Sequence, residues 1–185
     1  MLVAWDKSHG EFLIEDYYYF SKLKKYAKME GIVLEQVESF DELWKYDVII
    51  FNYPEEEFSK DEIEIIINSN KKVILLAYYS NIDGVAKNIN KVVSRLGIKV
   101  EYDVVVDEER NDGDPMFPLA FWKEKEVVMP CSASIKGGEP IVSGKKVFAS
   151  KKDNITVFGT CVFWDNYSIN RKNNKELALS ILKGY

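Results

Sequence analysis

The chain begins with Leu2-Val3-Ala4-Trp5, which runs directly into Asp6-Lys7-Ser8-His9-Gly10-Glu11. A short apolar run that ends in a small polar loop is typical of a buried parallel strand. In α/β folds, the loops at the carboxyl ends of such strands hold the ligand sites. The loop also contains the only histidine of the sequence. We therefore expect residues 2–5 to form a central strand and the loop after it to form part of a site.

Composition and charge set the first limits. The 185 residues are 46% hydrophobic, which is enough to bury one core, so we expect a single α/β domain over 1–185. Lys and Arg number 25 against 30 Asp and Glu, and the two signs are interspersed, which argues against a dedicated DNA-binding surface. The sequence shows neither a secretory leader nor an apolar run long enough for a membrane span, so a cytoplasmic protein is expected. Abundant Lys, Glu and Ile with a single Gln is typical of thermophile proteins.

Strands and helices alternate over the first hundred residues. Serine followed three residues later by glutamate predicts a capping box at Ser39–Glu42 and another at Ser59–Glu62. Such alternation predicts a three-layer, mainly parallel sheet with strand order two, one, three, four. The predicted strands are 2–5, 32–37, 47–52, 73–78 and 99–106, and the predicted helices between them are 15–30, a short one from Ser39, 59–68 and 83–96.

The alternation stops at Asp107. Short β-type runs separated by glycine turns predict an irregular, β-rich insertion over about 107–150, with antiparallel strands at one edge of the sheet. A buried strand at 155–159 and a helix at 175–182 close the chain.

Four short patterns carry a resemblance to a known family. They are the Asp-x-Ser-His-Gly loop of residues 6–10, the Asn-x-Pro that ends the third strand at Pro54, the helix 59–68 with its lysine-rich turn into 73–77, and the terminal segment from Phe158 to Asn166. With these the chain resembles the uncharacterised class I glutamine-amidotransferase-like domains, including those related to the GIFT domains of intraflagellar-transport and gliding-associated ABC-transport accessory proteins. The resemblance implies a flavodoxin-like sheet.

The catalytic residues of true amidotransferases have no counterpart here. The family's nucleophilic cysteine stands on a tight turn after a strand and is activated by a histidine. The matching turn, residues 77–81, carries Ser80 instead of cysteine, and no histidine follows the terminal strand. Cys131 lies in the irregular segment. We therefore expect no glutaminase chemistry.

Polar residues follow several predicted strands, and the carboxyl ends of parallel strands meet at one edge. We expect them to ring one crevice for a small polar ligand, of sugar or nucleotide type, or for a protein partner. The alternative is structural: Asp6 and Asp165 would cap loops, and His9 would be a buried, hydrogen-bonded imidazole. The candidate residues are Asp6, Ser8, His9, Glu11, Asn52, Tyr79, Ser80, Asn81, Trp164, Asp165 and Asn166.

Two other functions remain open at this point. In a hydrolase, His9 with Asp6 or Glu11 would act on Ser80; in a metal-dependent enzyme, Asp6, His9 and Asp165 would hold a divalent ion. The lysine doublets at residues 71–72, 145–146 and 151–152 would serve nucleic-acid association, which is the weakest reading because such doublets are usually solvated strand ends. No cofactor is expected, although a divalent metal stays open. Cys131 and Cys161 are expected to be free thiols and not a disulfide.

The absent catalytic residues give the first testable prediction. The purified protein should release no ammonia from glutamine in a coupled glutamate dehydrogenase assay. Ammonia release that disappears in Cys131→Ala or Cys161→Ala would contradict it.

Overall fold

The computed structural model describes residues 1–10 and 12–184. Its main feature is a nine-stranded sheet in the order β2-β1-β3-β4-β11-β10-β9-β6-β7. The strands are β1 (Leu2–Asp6), β2 (Val33–Val37), β3 (Val48–Asn52), β4 (Lys72–Leu76), β5 (Lys99–Val100), β6 (Leu119–Trp122), β7 (Lys125–Val128), β8 (Ile135–Lys136), β9 (Glu139–Gly144), β10 (Val147–Lys152) and β11 (Ile155–Phe158).

The helices are α1 (Tyr17–Met29), α2 (Phe40–Leu43), α3 (Lys60–Asn68), α4 (Val85–Val93) and α5 (Asn174–Leu182). Helices α1 and α5 pack together, as do α3 and α4. None of the helices in the described ranges combines the length and apolar character that a membrane crossing requires.

The parallel half of the sheet contains β2, β1, β3, β4 and β11. The predicted order two, one, three, four is confirmed, with β1 paired on both sides. All five residues of β3 and all four of β11 are buried, as expected of strands covered on both faces. The loops after these strands therefore start from the interior of the sheet.

The other half of the sheet is antiparallel. Strands β10, β9, β6 and β7 extend it beyond β11, which confirms antiparallel strands at one edge. The sheet is therefore mixed, with as many antiparallel as parallel pairings, which fits the predicted parallel centre with added antiparallel strands.

The predicted strand 99–106 is wrong beyond its first two residues. Lys99–Val100 forms β5, which pairs with β8 in a separate two-stranded sheet. Beyond it, the Asp103 carboxylate accepts the backbone N–H and the hydroxyl of Ser134, at 2.8 and 2.7 Å. This side chain joins the two segments between the backbone bonds from Glu101 N–H to the Ser134 carbonyl and from Val105 N–H to the Ser132 carbonyl, at 2.9 and 2.8 Å.

The two predicted capping boxes have different outcomes. At α3, the Ser59 hydroxyl accepts the N–H of Glu62 at 3.2 Å, and the Glu62 carboxylate accepts the N–H of Ser59 at 2.8 Å. At α2, the Ser39 side chain makes no capping bond, so that box is wrong although a helix begins there. Helix α2 has four residues, and buried Phe40 and Leu43 anchor it by packing.

This difference predicts unequal effects of the same substitution. Ser59→Ala should lower the free energy of unfolding by about 1 kcal/mol because it removes a formed cap. Ser39→Ala, the matched control, should change it by less than about 0.5 kcal/mol. Urea denaturation measures both free energies of unfolding. Equal losses in the two variants would show that the capping box at Ser59 adds no stability beyond that of an uncapped serine.

Candidate functional site

Asp6 organises the loop that follows β1. Its Oδ1 accepts the N–H and the hydroxyl of Ser8, at 3.0 and 2.6 Å, and its Oδ2 accepts the N–H of His9 at 3.0 Å. The side chain of Asp6 is buried. These bonds make Asp6 a loop cap, which is the structural alternative considered from the sequence.

His9 is buried, with 4% of its surface exposed. Its Nδ1 lies 3.1 Å from Asp6 Oδ2, and its Nε2 lies 3.4 Å from Glu62 Oε1. The imidazole also packs against the ring of Phe58, with centroids 4.7 Å apart. Both nitrogens therefore have partners in the interior. Sequence reasoning missed Glu62, although its capping box had placed it at the start of the helix after β3.

The charges around His9 shift two pKa values in opposite directions. Burial alone would lower the pKa of His9, but the hydrogen bond and charge of Asp6, helped by Glu62, outweigh it and raise the pKa above 6.5. Burial would raise the pKa of Glu62, but the bonds from Ser59 and the interaction with His9 lower it below 4.5. The cluster therefore favours an imidazolium between two carboxylates.

The β1 loop is fastened to the loop after β3. The carbonyl of His9 accepts the N–H groups of Glu55 and Glu56, at 2.6 and 3.0 Å. Gly10 forms a bridge with Pro54, and a Cβ at Gly10 would lie 2.8 Å from the carbonyl oxygen of Asn52. Only glycine fits this approach without a shift. Glu11, a predicted ligand residue, lies outside the described residues.

A cavity of about 240 Å³ lies where the chain leaves the carboxyl ends of β3, β4 and β11. Of the predicted site residues it contains Asn52 and Asp165. Asp6, Ser8 and His9 do not line it, because they are used in fixing the β1 loop. The lining residues are Phe12, Tyr19, Phe20, Asn52, Tyr53, Tyr78, Cys161, Val162 and Asp165.

Aromatic rings form much of the cavity wall. Phe12 meets Tyr19 at 76° and Tyr53 at 83°, with centroids 5.2 and 5.0 Å apart. Tyr53 meets Tyr78 at 67° and 5.7 Å. Neighbouring rings thus stand nearly perpendicular to one another. The sequence did contain a signal for this wall: an aromatic residue, Tyr53 or Tyr78, stands within two positions of the end of β3 and of β4. Sequence reasoning missed it because it considered mainly the polar residues at strand ends.

Asp165 is the acidic group of the cavity. Its Oδ1 accepts the N–H groups of Tyr167 and Ser168, at 3.0 and 2.8 Å. Burial raises its pKa despite these bonds. Arg171 lowers that pKa only in part, since its guanidinium is paired with Asp112 at 2.6 Å.

Other polar groups at the cavity already have partners. Asn52 Oδ1 accepts the indole N–H of Trp164 at 3.2 Å, and Asn52 Nδ2 donates to the Phe12 carbonyl at 3.3 Å. The Tyr53 hydroxyl donates to Asp83 at 2.6 Å. Trp164 is fully buried and is not a lining residue of the cavity. Its indole N–H instead holds the Asn52 side chain in position.

The remaining predicted residues have structural contacts. Asn166 Nδ2 donates to the carbonyls of Tyr17 and Tyr18, and its Oδ1 accepts the N–H of Lys22, so it fastens the start of α1. Ser80 is exposed, and its N–H donates to the carbonyl of Asp103 at 2.8 Å.

The turn 79–84 differs from the expected helix start. Ser80 and Asn81 both have a φ of 51°, in the left-handed region. Asn81 Oδ1 accepts the N–H of Lys87 at 2.8 Å, and the ring of Tyr79 packs against Tyr78 with centroids 4.6 Å apart. Nothing in these contacts brings the Ser80 hydroxyl to His9.

Metal and thiol chemistry were also considered from the sequence. Among residues 1–10 and 12–184, no three His, Cys, Asp or Glu side chains come together as a metal site, so Asp6, His9 and Asp165 are not grouped there. Cys131 and Cys161 are free thiols. Burial raises the pKa of both, which disfavours the reactive thiolate.

Comparison with known proteins places the chain in a family. No protein-family model matches the sequence. An uncharacterised protein of Aquifex aeolicus (strain VF5) is 34% identical to this chain over an alignment 218 residues long. The alignment covers 98% of this chain and 92% of the relative. The chain belongs to the same family as that protein.

Two solved structures share the fold. The mmIFT52 N-terminal domain superposes with a TM-score of 0.81 at 15% identity, over 99% of this chain and 96% of that one. The β-galactosidase from the psychrophilic Marinomonas ef1 gives a TM-score of 0.57 at 11% identity, over 99% of this chain and 28% of that one. At these identities the likeness shows the fold alone. The first neighbour supports the GIFT-related resemblance at that level.

The His9 cluster predicts a pH dependence of stability. Because the folded state raises the pKa of His9 above 6.5, its stabilising contribution is complete below pH 6.5 and is lost as pH rises through the folded pKa. Glu62 acts in the other direction: its contribution is present above pH 4.5 and is lost as pH falls through its lowered pKa. Urea unfolding across this range should show stability falling above pH 6.5 in the wild type and a flatter profile in His9→Asn.

Lys7→Met serves as a control, because Lys7 lies in the same loop and pairs with Glu38 at the surface. It should keep the wild-type profile. An unchanged slope above pH 6.5 in His9→Asn would contradict the assignment to His9.

Proposed function

We propose that this protein is a catalytically silent, amidotransferase-like domain of the flavodoxin-like type that binds a small polar ligand in the cavity at the carboxyl edge of its sheet. The cavity is the observation that carries the proposal. It lies where open α/β sheets bind ligands, and it combines aromatic walls with a half-buried carboxyl group.

The size of the cavity limits its ligand. At about 240 Å³ it is smaller than the roughly 300–1,000 Å³ of pockets for drug-sized molecules. It corresponds to about eight water molecules at ~30 Å³ each. A single ring or a short branched group fits this space, and a dinucleotide does not.

The contacts of the candidate catalytic groups favour binding over hydrolysis. A general base must reach its nucleophile, but the His9 nitrogens face Asp6, Ser8 and Glu62 and not Ser80. The Ser8 hydroxyl donates to the Asp6 carboxylate at 2.6 Å, so it is held as part of the loop cap. The buried Cys161 thiol lines the cavity without an activating base among the described residues, and its pKa is raised. Free thiols agree with the cytoplasmic location predicted from composition.

A protein partner at the same edge is the second candidate. Tyr17, Tyr18 and Tyr167 are 84%, 78% and 67% exposed. Tyr18 and Tyr167 line an open groove beside the cavity. Two further residues, Tyr19 and Asp165, line both the groove and the cavity. Nucleic acid is less favoured, because Lys145 donates to the Val106 carbonyl and Lys151 pairs with Glu139.

The test of the proposal fills the cavity. Val162 lines it and is half-buried, so Val162→Phe should occupy the space from its rim. In a thermal-shift screen with monosaccharides, nucleosides and small amines at millimolar concentration, at least one class should raise the Tm of the wild type and leave that of Val162→Phe unchanged. Val104→Phe, at an exposed position away from the cavity lining, should respond as the wild type does.

Two results would speak against the small-ligand proposal. One is a screen in which no class shifts the Tm; the other is an equal shift in Val162→Phe. Triple replacement of Tyr17, Tyr18 and Tyr167 by serine separates the second candidate. Loss of a co-purifying partner in that variant, with retention in Val162→Phe, would favour protein docking.

A further inference from the structure

The cavity wall has the geometry of a cage for a cation. We infer that the cavity selects a small organic cation, an alkylammonium group held between the aromatic rings and the Asp165 carboxyl. This inference rests on the proposed function and names its ligand class. Three features of the cavity support it.

The first feature is the arrangement of the rings. Tyr19, Phe12, Tyr53 and Tyr78 contact one another in this order along the wall, with interplanar angles of 67° to 83°. Their centroids are separated by 5.0 to 5.7 Å at each step. Perpendicular neighbours turn different ring faces and edges toward one volume, as in the aromatic cages that hold quaternary ammonium groups. A flat sugar-stacking platform would instead need one exposed face.

The second feature is charge. Asp165 is the only Asp or Glu among the lining residues, and no Lys, Arg or His of the described chain lines the cavity. Arg171 is committed to Asp112 and stacks on Phe117 and Tyr167, with its guanidinium carbon 4.9 and 4.7 Å from their ring centroids. The Asp165 carboxyl is half-buried and its nearest guanidinium is paired elsewhere, so a ligand cation would supply the counter-charge that it lacks.

The third feature is the use of the remaining polar atoms. The Tyr53 hydroxyl donates to Asp83, and the Asn52 amide bonds to Trp164 and Phe12. Few donors are left for sugar hydroxyls or base edges. A phosphate would meet Asp165. A methylated ammonium group needs ring faces and one negative group, which the cavity provides.

The experiment compares two ligands of the same shape. Choline and its carbon analogue dimethylbutanol, in which carbon replaces the charged nitrogen, are titrated into the wild type and followed by calorimetry and NMR. Choline should bind roughly ten-fold or more tightly than the analogue.

Two variants test the named groups. Asp165→Asn keeps an oxygen for the N–H groups of Tyr167 and Ser168 but removes the charge, and Tyr19→Leu removes one ring from a helical position. Each should weaken choline binding several-fold and reduce the preference over dimethylbutanol. Tyr17→Leu, at the exposed first residue of the same helix, should bind choline as the wild type does.

The outcomes separate this inference from the proposed function. Equal binding of both ligands, or no choline binding at all, overturns the cation assignment. If a monosaccharide or nucleoside then shifts the Tm of the wild type but not that of Val162→Phe, the binding proposal stands with another ligand class. If Asp165→Asn does not fold, Tyr19→Leu against Tyr17→Leu decides, and equal choline affinity in these two also overturns the inference.

Discussion

The structure depends on the burial of the Asp6 carboxylate at the end of a central strand. An ionised carboxylate in the interior is costly unless its oxygens are satisfied. Asp6 meets this condition with the N–H and hydroxyl of Ser8 and the N–H and Nδ1 of His9. One carboxylate thus holds the backbone and side chains of Ser8 and His9 together in the loop. The carbonyl of His9 then holds the loop after β3, and the chain continues to Phe12, the first wall of the cavity.

The parallel half of the fold could be predicted because its strands are written in the sequence as apolar runs. Residues 48–51 are apolar at every position, which only a strand covered on both faces tolerates, and β3 is indeed buried throughout. The segment 99–106 has a similar β-rich composition but differs physically. Asp103 binds the backbone and hydroxyl of Ser134, a contact 31 residues away that no local pattern encodes. The same limit applies to Ser39, where the motif is present and the bond is absent.

The sequence predicted a crevice at the carboxyl edge of the sheet, but most of the residues that line the cavity there were not among those predicted. Polar residues at strand ends either bind ligands or satisfy loops, and the sequence does not distinguish these uses. Asn166 illustrates the second: its amide fastens three backbone groups of α1, some 144 to 149 residues away in the chain. Asn52 and Asp165, two of the predicted site residues, line the cavity, and their part in binding a ligand stays a prediction. The aromatic wall was not predicted, since Tyr53 and Tyr78 read as ordinary core residues when their mutual angle is unknown.

Asp6 is buried at the end of β1, and Asp165 is half-buried in the loop after β11. The contrast between these two acids separates fold from function. Asp6 accepts three hydrogen bonds from Ser8 and the His9 N–H and pairs with His9 Nδ1, so nothing remains for a ligand to satisfy. Asp165 accepts two backbone N–H groups through Oδ1, lies against a cavity, and has its pKa raised because burial outweighs those bonds. Replacing Asp6 should therefore destabilise the folded protein, whereas neutralising Asp165 should remove the free-energy cost of desolvating its charge. The Asp165 carboxyl lines the cavity together with aromatic rings and with no cationic side chain of the described chain, and the proposed cation would complete its pairing.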